Sequence, residues 1–95
     1  MEKKDIIFLI IAKLIRMDKW GGAHTEVRNL TRGLPQRYAS SNKGKKLIQQ
    51  AIKDLVNYGF LFVKISTKEQ HCSLNPKKAK EILQFYEKYK ITDSI

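Results

Sequence analysis

The sequence predicts an α+β fold with a three-helix core, a β-hairpin and an extra C-terminal helix. Two observations predict it. Apolar residues recur at helical spacing in several stretches, and the segment at 60–75 instead begins with the strand-like run FLFVKIST. Pro76 then marks the start of the last helix, because proline is favoured at the first helical position. The length of 95 residues suits a single domain over residues 1–95.

The first helix is predicted at residues 5–18. Asp5 suits its start, because a negative charge is stabilised at the positive pole of the helix dipole. Apolar residues cover most of the circumference of this helix, so it needs cover on more than one side. One side is expected to meet the core, and the other either the C-terminal helix or a partner subunit.

The second helix is predicted at residues 26–32. Gly21 and Gly22 form the turn before it, a very short strand is expected at 23–24, and Thr25 is the expected N-cap. The residues expected to face inward are Val27, Leu30 and Leu34.

The third helix is predicted at residues 43–58, after a connection at 35–42 and with a cap from Ser41 or Asn42. Gly59 is the expected left-handed residue that ends it. Residues placed at 100° intervals give a buried face of Ile48, Ala51, Ile52 and Leu55. The opposite face carries Lys46, Gln50, Lys53 and Asn57, with Lys43 and Gln49 at its margins. Lys45 falls nearer the edge of the core.

A β-hairpin is predicted at residues 60–75, with strands at 60–67 and 71–75 joined by a turn at 68–70. The C-terminal helix follows at 76–90. Its apolar stripe consists of Ala79, Ile82, Leu83 and Tyr86, widened by Phe85 and Tyr89.

Positive charge is concentrated in one part of the chain. The net charge of +10 attracts polyanions, which are nucleic acid, anionic lipid or an acidic protein. From Val27 to Lys53 there is no acidic residue, although a solubilising surface usually mixes both signs. The seven basic residues of this window are Arg28, Arg32, Arg37, Lys43, Lys45, Lys46 and Lys53. The window favours contact with nucleic acid, and the alternative is a merely solvated helix face.

The segment LIQQAIKDLVNYGFLFVK resembles the end of the recognition helix and the start of the wing in the winged helix-turn-helix superfamily. The order of predicted elements agrees with that resemblance over roughly residues 5–90. HTEVRNLTRGLP and HCSLNP also resemble segments of small uncharacterised archaeal winged-helix proteins. The resemblance implies that the third helix enters the major groove of double-stranded DNA and that the hairpin contacts the adjacent backbone or minor groove. It also implies a homodimer through helix 1 and the C-terminal helix, as in many winged-helix regulators.

The docking mode implied by the resemblance, together with side-chain chemistry, indicates which residues are expected to contact DNA. Lysine neutralises phosphates and releases counterions, and a glutamine amide can pair with adenine in the major groove. The expected groove contacts are Lys46, Gln49, Gln50 and Lys53. The expected phosphate contacts near the N-terminus of the third helix are Arg37, Tyr38, Ser40, Ser41, Asn42 and Lys43. The hairpin is expected to contribute Lys64 and Lys68, although its short tip also carries Glu69.

Other chemistries find little support in the sequence. His24, His71 and Cys72 lack metal-binding spacing, and strand neighbours 71 and 72 point to opposite faces, so neither a metal nor another cofactor is predicted. No catalytic set or phosphate-binding glycine loop is present, so the protein is not predicted to be an enzyme. The single cysteine favours a reducing cytosol, with Cys72 buried as a small hydrophobe. The apolar run at 6–12 is too short to span a membrane.

The sequence therefore predicts a cytoplasmic double-stranded DNA-binding protein that regulates transcription. One alternative is a winged-helix interaction module that docks an acidic protein. Another is RNA or single-strand binding, which the sequence disfavours because aromatic residues are not interleaved with the basic ones on the exposed face.

Overall fold

Helices and a small antiparallel sheet make up this computed structural model, which describes residues 2–32, 34 and 36–93, without the side chains of residues 37, 38 and 91–93. The α+β class predicted from the sequence is confirmed over these residues. The elements, in chain order, are α1 (Lys3–Arg16), β1 (Thr25–Glu26), α2 (Arg28–Thr31), α3 (Gln36–Ala39), α4 (Asn42–Asn57), β2 (Leu61–Ser66), β3 (Glu69–Leu74), a 3₁₀ turn (Pro76–Lys78) and α5 (Ala79–Asp93).

Helix α1 lies two residues earlier than the predicted 5–18. It starts earlier because the Asp5 carboxylate accepts a hydrogen bond from the backbone N–H of Glu2 at 2.9 Å, which makes Asp5 the third helical residue. It ends earlier because Asp18 takes the left-handed conformation, with φ of 55°. Aspartate tolerates that conformation better than most residues, so Asp18 ends the helix before the glycine pair is reached.

The segment after α1 differs from the prediction in its first strand and second helix. The short strand expected at 23–24 lies at Thr25–Glu26, so Thr25 belongs to β1 and is not an N-cap. The helix expected at 26–32 shortens to Arg28–Thr31, because Thr25 and Glu26 pair with β3 instead. The inward positions predicted for this segment are confirmed as buried: Val27, Leu30 and Leu34.

The connection predicted at 35–42 contains the one-turn helix α3. A helix of four residues is too short to show a hydrophobic period, so α3 could not be predicted from the sequence.

Helix α4 agrees with the predicted 43–58 to within one residue at each end. Ser41 is its N-cap and accepts a hydrogen bond from the backbone N–H of Gly44 at 2.9 Å. Gly59, with φ of 78°, follows its end in the expected left-handed conformation. All four residues of the predicted inner face are buried: Ile48, Ala51, Ile52 and Leu55.

The sheet has the strand order β1-β3-β2, with both pairs antiparallel. Pairing of the hairpin continues to Ser66 opposite Glu69, so the turn consists of Thr67 and Lys68. The predicted turn at 68–70 is therefore wrong, and residues 69 and 70 belong to β3. The inner face of the sheet buries Leu61, Cys72 and Leu74 against the helices.

Helix α5 covers the second side of α1, which was one of the two alternatives for that apolar surface. The Phe8 ring stacks on Tyr86 and on Tyr89, with centroids 5.5 and 4.6 Å away. Ile82 of α5 is fully buried, whereas Leu83 is 43% exposed, so the predicted inclusion of Leu83 in the inner stripe is wrong. The helical region predicted at 76–90 begins as a 3₁₀ turn and continues to Asp93.

Candidate nucleic-acid interface

The outer face of α4 carries the residues that the sequence assigned to groove contacts. Lys46, Gln49, Gln50 and Lys53 are all exposed. The helix is held in place from its other side, because Ile48 and Leu55 fix it to the core at 3% and 0% exposure. The four polar side chains therefore project from a rigid support, which suits a surface that must fit a groove.

The acidic residue of α4 is turned away from this face. The Asp54 carboxylate makes an ion pair with the Lys3 ammonium of α1, with Nζ and Oδ2 2.7 Å apart. The hydrogen bond and charge of Asp54 raise the pKa of Lys3 above its ordinary value. The outer face of α4 thus keeps its positive charge, although the helix contains a carboxylate.

The N-terminal end of α4 places several predicted phosphate contacts close together. Ser40, Ser41, Asn42 and Lys43 are exposed there. The Ser41 hydroxyl already accepts the Gly44 N–H, so its direct part is to cap the helix. Backbone N–H groups and the dipole at a helix N-terminus favour anions, which is the reason that a phosphate is predicted here.

The hairpin tip lies beside α4 across an open cleft of about 500 Å³. Gln49 of α4 and Lys68 of the tip both line this cleft, so the structure brings these two predicted site residues together. Lys64 lies elsewhere. Its register partner is His71, and it belongs to the outer face of the sheet, so the two hairpin lysines are on separate surfaces.

Two basic residues that the site prediction omitted also line the cleft. Arg28 of α2 and Lys45 of α4 both belong to the acid-free window, and that window was the signal that could have included them. Lys45 was expected near the core edge, but it is exposed. The cleft also contains Glu26 and Glu69, so its charge is mixed.

Both of these acids have basic partners. Glu26 makes an ion pair with Arg28, and the Glu69 carboxylate lies 3.1 Å from Nε2 of His71. The mixed charge makes the cleft less favourable to an anion than the outer face of α4, which carries the predicted groove contacts. The side chains of the predicted contacts Arg37 and Tyr38 lie outside the described residues.

Cys72 is buried in the core at 1% exposure, as the sequence predicted. Burial raises the pKa of its thiol to about 11, so the thiol is protonated at neutral pH and is a poor nucleophile. Among the described residues, no three side chains of histidine, cysteine, aspartate and glutamate are grouped so that they could hold a metal ion.

No protein family, curated protein or solved structure matches this chain. Within the described part of the chain, none of the helices has both the length and the apolar content that crossing a bilayer requires.

Proposed function

We propose that the protein binds double-stranded DNA and regulates transcription as a winged helix-turn-helix domain. Helix α4 is the recognition helix and the β2–β3 hairpin is the wing. The observation that carries the proposal is the exposed face of α4, which presents two lysines and two glutamines. The single acidic residue of the helix, Asp54, instead pairs with Lys3 of α1. The major groove of DNA is wide enough to admit such a helix.

The spacing along α4 gives its residues separate roles. Lys46 and Lys53 are seven residues apart, which is about 10 Å along a helix and close to two full turns, so they share one line on its surface. Gln49 and Gln50 lie on the turn between them. The lysines are thus placed to reach phosphates at either side of a groove about 12 Å wide. The glutamines lie between them, where base edges would be read.

The hairpin tip supports the same arrangement. Lys68 lies across the cleft from α4, so it can reach the DNA backbone beside the groove that α4 occupies. Lys64, on the outer face of the sheet, is expected to contribute long-range attraction more than direct contact.

The test is a titration of labelled duplex of random sequence, and of its single strand, at two salt concentrations. We expect tighter binding to the duplex, with a steep dependence on salt. Lys46→Ala and Lys53→Ala should each weaken binding and reduce the slope of log K against log salt by about 1, the effect of one lost phosphate contact. Lys80→Ala, which removes the same charge from the exposed side of α5, is the matched control and should change the slope much less.

A binding-site selection with the Gln50→Ala variant tests base reading. We expect its sequence preference to change more than its affinity for random duplex, because a bidentate contact discriminates between bases. Equal losses on selected and random DNA would contradict that role. Negligible duplex binding at low salt would overturn the proposal and direct attention to an acidic protein partner, and preference for the single strand would favour the remaining alternative.

A further inference from the structure

The two histidines of the chain meet on the outer face of the sheet. His24 lies just before β1 and His71 lies in β3, 47 residues further along. Their Nδ1 atoms are 3.1 Å apart. The chain contains no other histidine, so both of its imidazoles are gathered at one point on the surface.

Glu69 selects the tautomer of His71. Its Oε2 atom lies 3.1 Å from Nε2 of His71, so Nε2 carries the proton and donates to the carboxylate. In the neutral imidazole of this tautomer the Nδ1 atom of His71 has a lone pair, and it is this atom that faces His24. A carboxylate on the far nitrogen is the usual second partner of a metal-binding histidine, because it orients the ring and raises its basicity.

The relative position of the rings fits a shared ion better than a direct hydrogen bond. A linear N–H···N bond of this length would place the ring centroids about 5.4 Å apart, because each ring extends the line of the bond. The centroids are only 4.8 Å apart, with the ring planes 88° to each other. If both Nδ1 atoms bind one ion at about 2.05 Å and remain 3.1 Å apart, the two ring centroids are about 4.8 Å apart.

We propose that His24 and His71 bind one divalent transition-metal ion, such as Zn²⁺, through their Nδ1 atoms. Among first-row transition metals, zinc, copper and nickel bind well to imidazole nitrogen. The described residues offer no third ligand beside the pair, so water completes the coordination and we expect affinity in the micromolar range. The buried, protonated thiol of Cys72 lies on the opposite face of β3 and is not a ligand.

The position of the pair gives the ion a structural effect. His24 is in the loop that leads into β1, whereas His71 is in the central strand of the sheet. An ion shared by both would tie that loop to the sheet. The site opens onto a shallow surface cavity of about 320 Å³, which gives the ion a route from solvent. The site does not use the outer face of α4, although Glu69 also lines the cleft beside the hairpin tip. Zinc binding is therefore measured without DNA.

The test is a titration of the full chain, without a histidine tag, with Zn²⁺ by calorimetry and proton NMR. We expect one ion per chain, with the imidazole signals of both histidines shifting together. His24→Ala and His71→Ala should each weaken binding at least tenfold, and Glu69→Gln by roughly tenfold. His24 is exposed and the His71 side chain is 22% exposed, outside the hydrophobic core, so these variants are expected to fold, and circular dichroism checks that they do.

Two control variants separate this site from other zinc binding. Lys64→Gln alters the residue opposite His71 and should retain binding, as should Cys72→Ala. Binding that survives either histidine substitution, or that is lost with Cys72→Ala in a folded protein, would overturn the proposal. So would the absence of both heat and NMR shifts at millimolar Zn²⁺, which would leave the pair as a simple hydrogen bond between imidazoles.

Discussion

At the scale of single residues, the neighbouring serines Ser40 and Ser41 differ in what they contribute to α4. Both are exposed at the start of α4, but only the Ser41 hydroxyl caps the helix, by accepting the Gly44 N–H. We expect Ser41→Ala to lower the free energy of unfolding by about 1 kcal/mol, the usual cost of losing an N-cap. Urea denaturation measures this change.

Ser40→Ala is the matched control, because it removes the same hydroxyl one residue earlier. We expect its effect on stability to stay within about 0.5 kcal/mol, as for most surface substitutions. Equal losses from both variants would mean that the cap at Ser41 does not stabilise α4 in solution.

Residues that begin or end a helix could be predicted where the sequence around them carries a strong start or stop signal. Gly59 was identified because glycine after a long helical pattern is a strong stop signal, and its φ of 78° agrees. Asp18 was missed because aspartate enters the left-handed region only occasionally, and the glycine pair that follows suggested a later end. A serine before a helix is likewise a strong signal, and Ser41 was among the two caps predicted.

At the scale of elements, α1 and α5 are joined by a hydrogen bond from the Tyr89 hydroxyl to the Asp5 carboxylate. This bond, with the Glu2 N–H, lowers the pKa of Asp5 below its ordinary value. A carboxyl whose pKa is lowered by folding adds stability above its unfolded pKa, and that stability is lost as pH falls through the lowered value. We expect Tyr89→Phe to lower Tm at neutral pH, with a difference that shrinks once Asp5 is protonated.

Thermal unfolding of the variant and the parent chain between about pH 7 and pH 2 measures this difference. Tyr86→Phe is the control, because Tyr86 also stacks on Phe8 but is not the partner of Asp5. A Tm difference for Tyr89→Phe that stays constant across this range would contradict the role of the carboxylate.

The sequence predicted long elements better than short ones. Helix α4 was placed to within one residue because sixteen residues show a clear period, whereas α3, with four, shows none. Strand β1 was displaced by two residues because its position depends on pairing with β3. Thr25 lies opposite Cys72, and no local pattern encodes a partner that is 47 residues away.

At the scale of the whole molecule, the predicted homodimer now depends on α5. Helix α1 packs its second side against α5 of the same chain, so little of α1 is left for a partner. We propose that the exposed side of α5, with Leu83 at 43% exposure, forms the contact. Leu83→Glu should lower the mass measured by sedimentation equilibrium from two chains to one. A parent chain that sediments as a monomer would contradict the dimer.

The charge of the candidate site could be predicted from the sequence, but its shape could not. The acid-free window identified the helix that carries the exposed lysines and glutamines. The closeness of Lys68 to Gln49, and the distance of Lys64 from both, depend on how the hairpin crosses the core. That arrangement is set by long-range pairing in the sheet, which a linear pattern does not reveal.

The packing of α5 on α1 also has a consequence during protein synthesis. The bond from Tyr89 to Asp5 spans 84 residues, and the Phe8 ring stacks on residues near that same distant end. A growing chain therefore carries an isoleucine-rich first helix whose cover has not yet been translated. Until α5 leaves the ribosome, this helix exposes apolar surface. We therefore expect nascent chains to avoid aggregation only through fast completion or with chaperones.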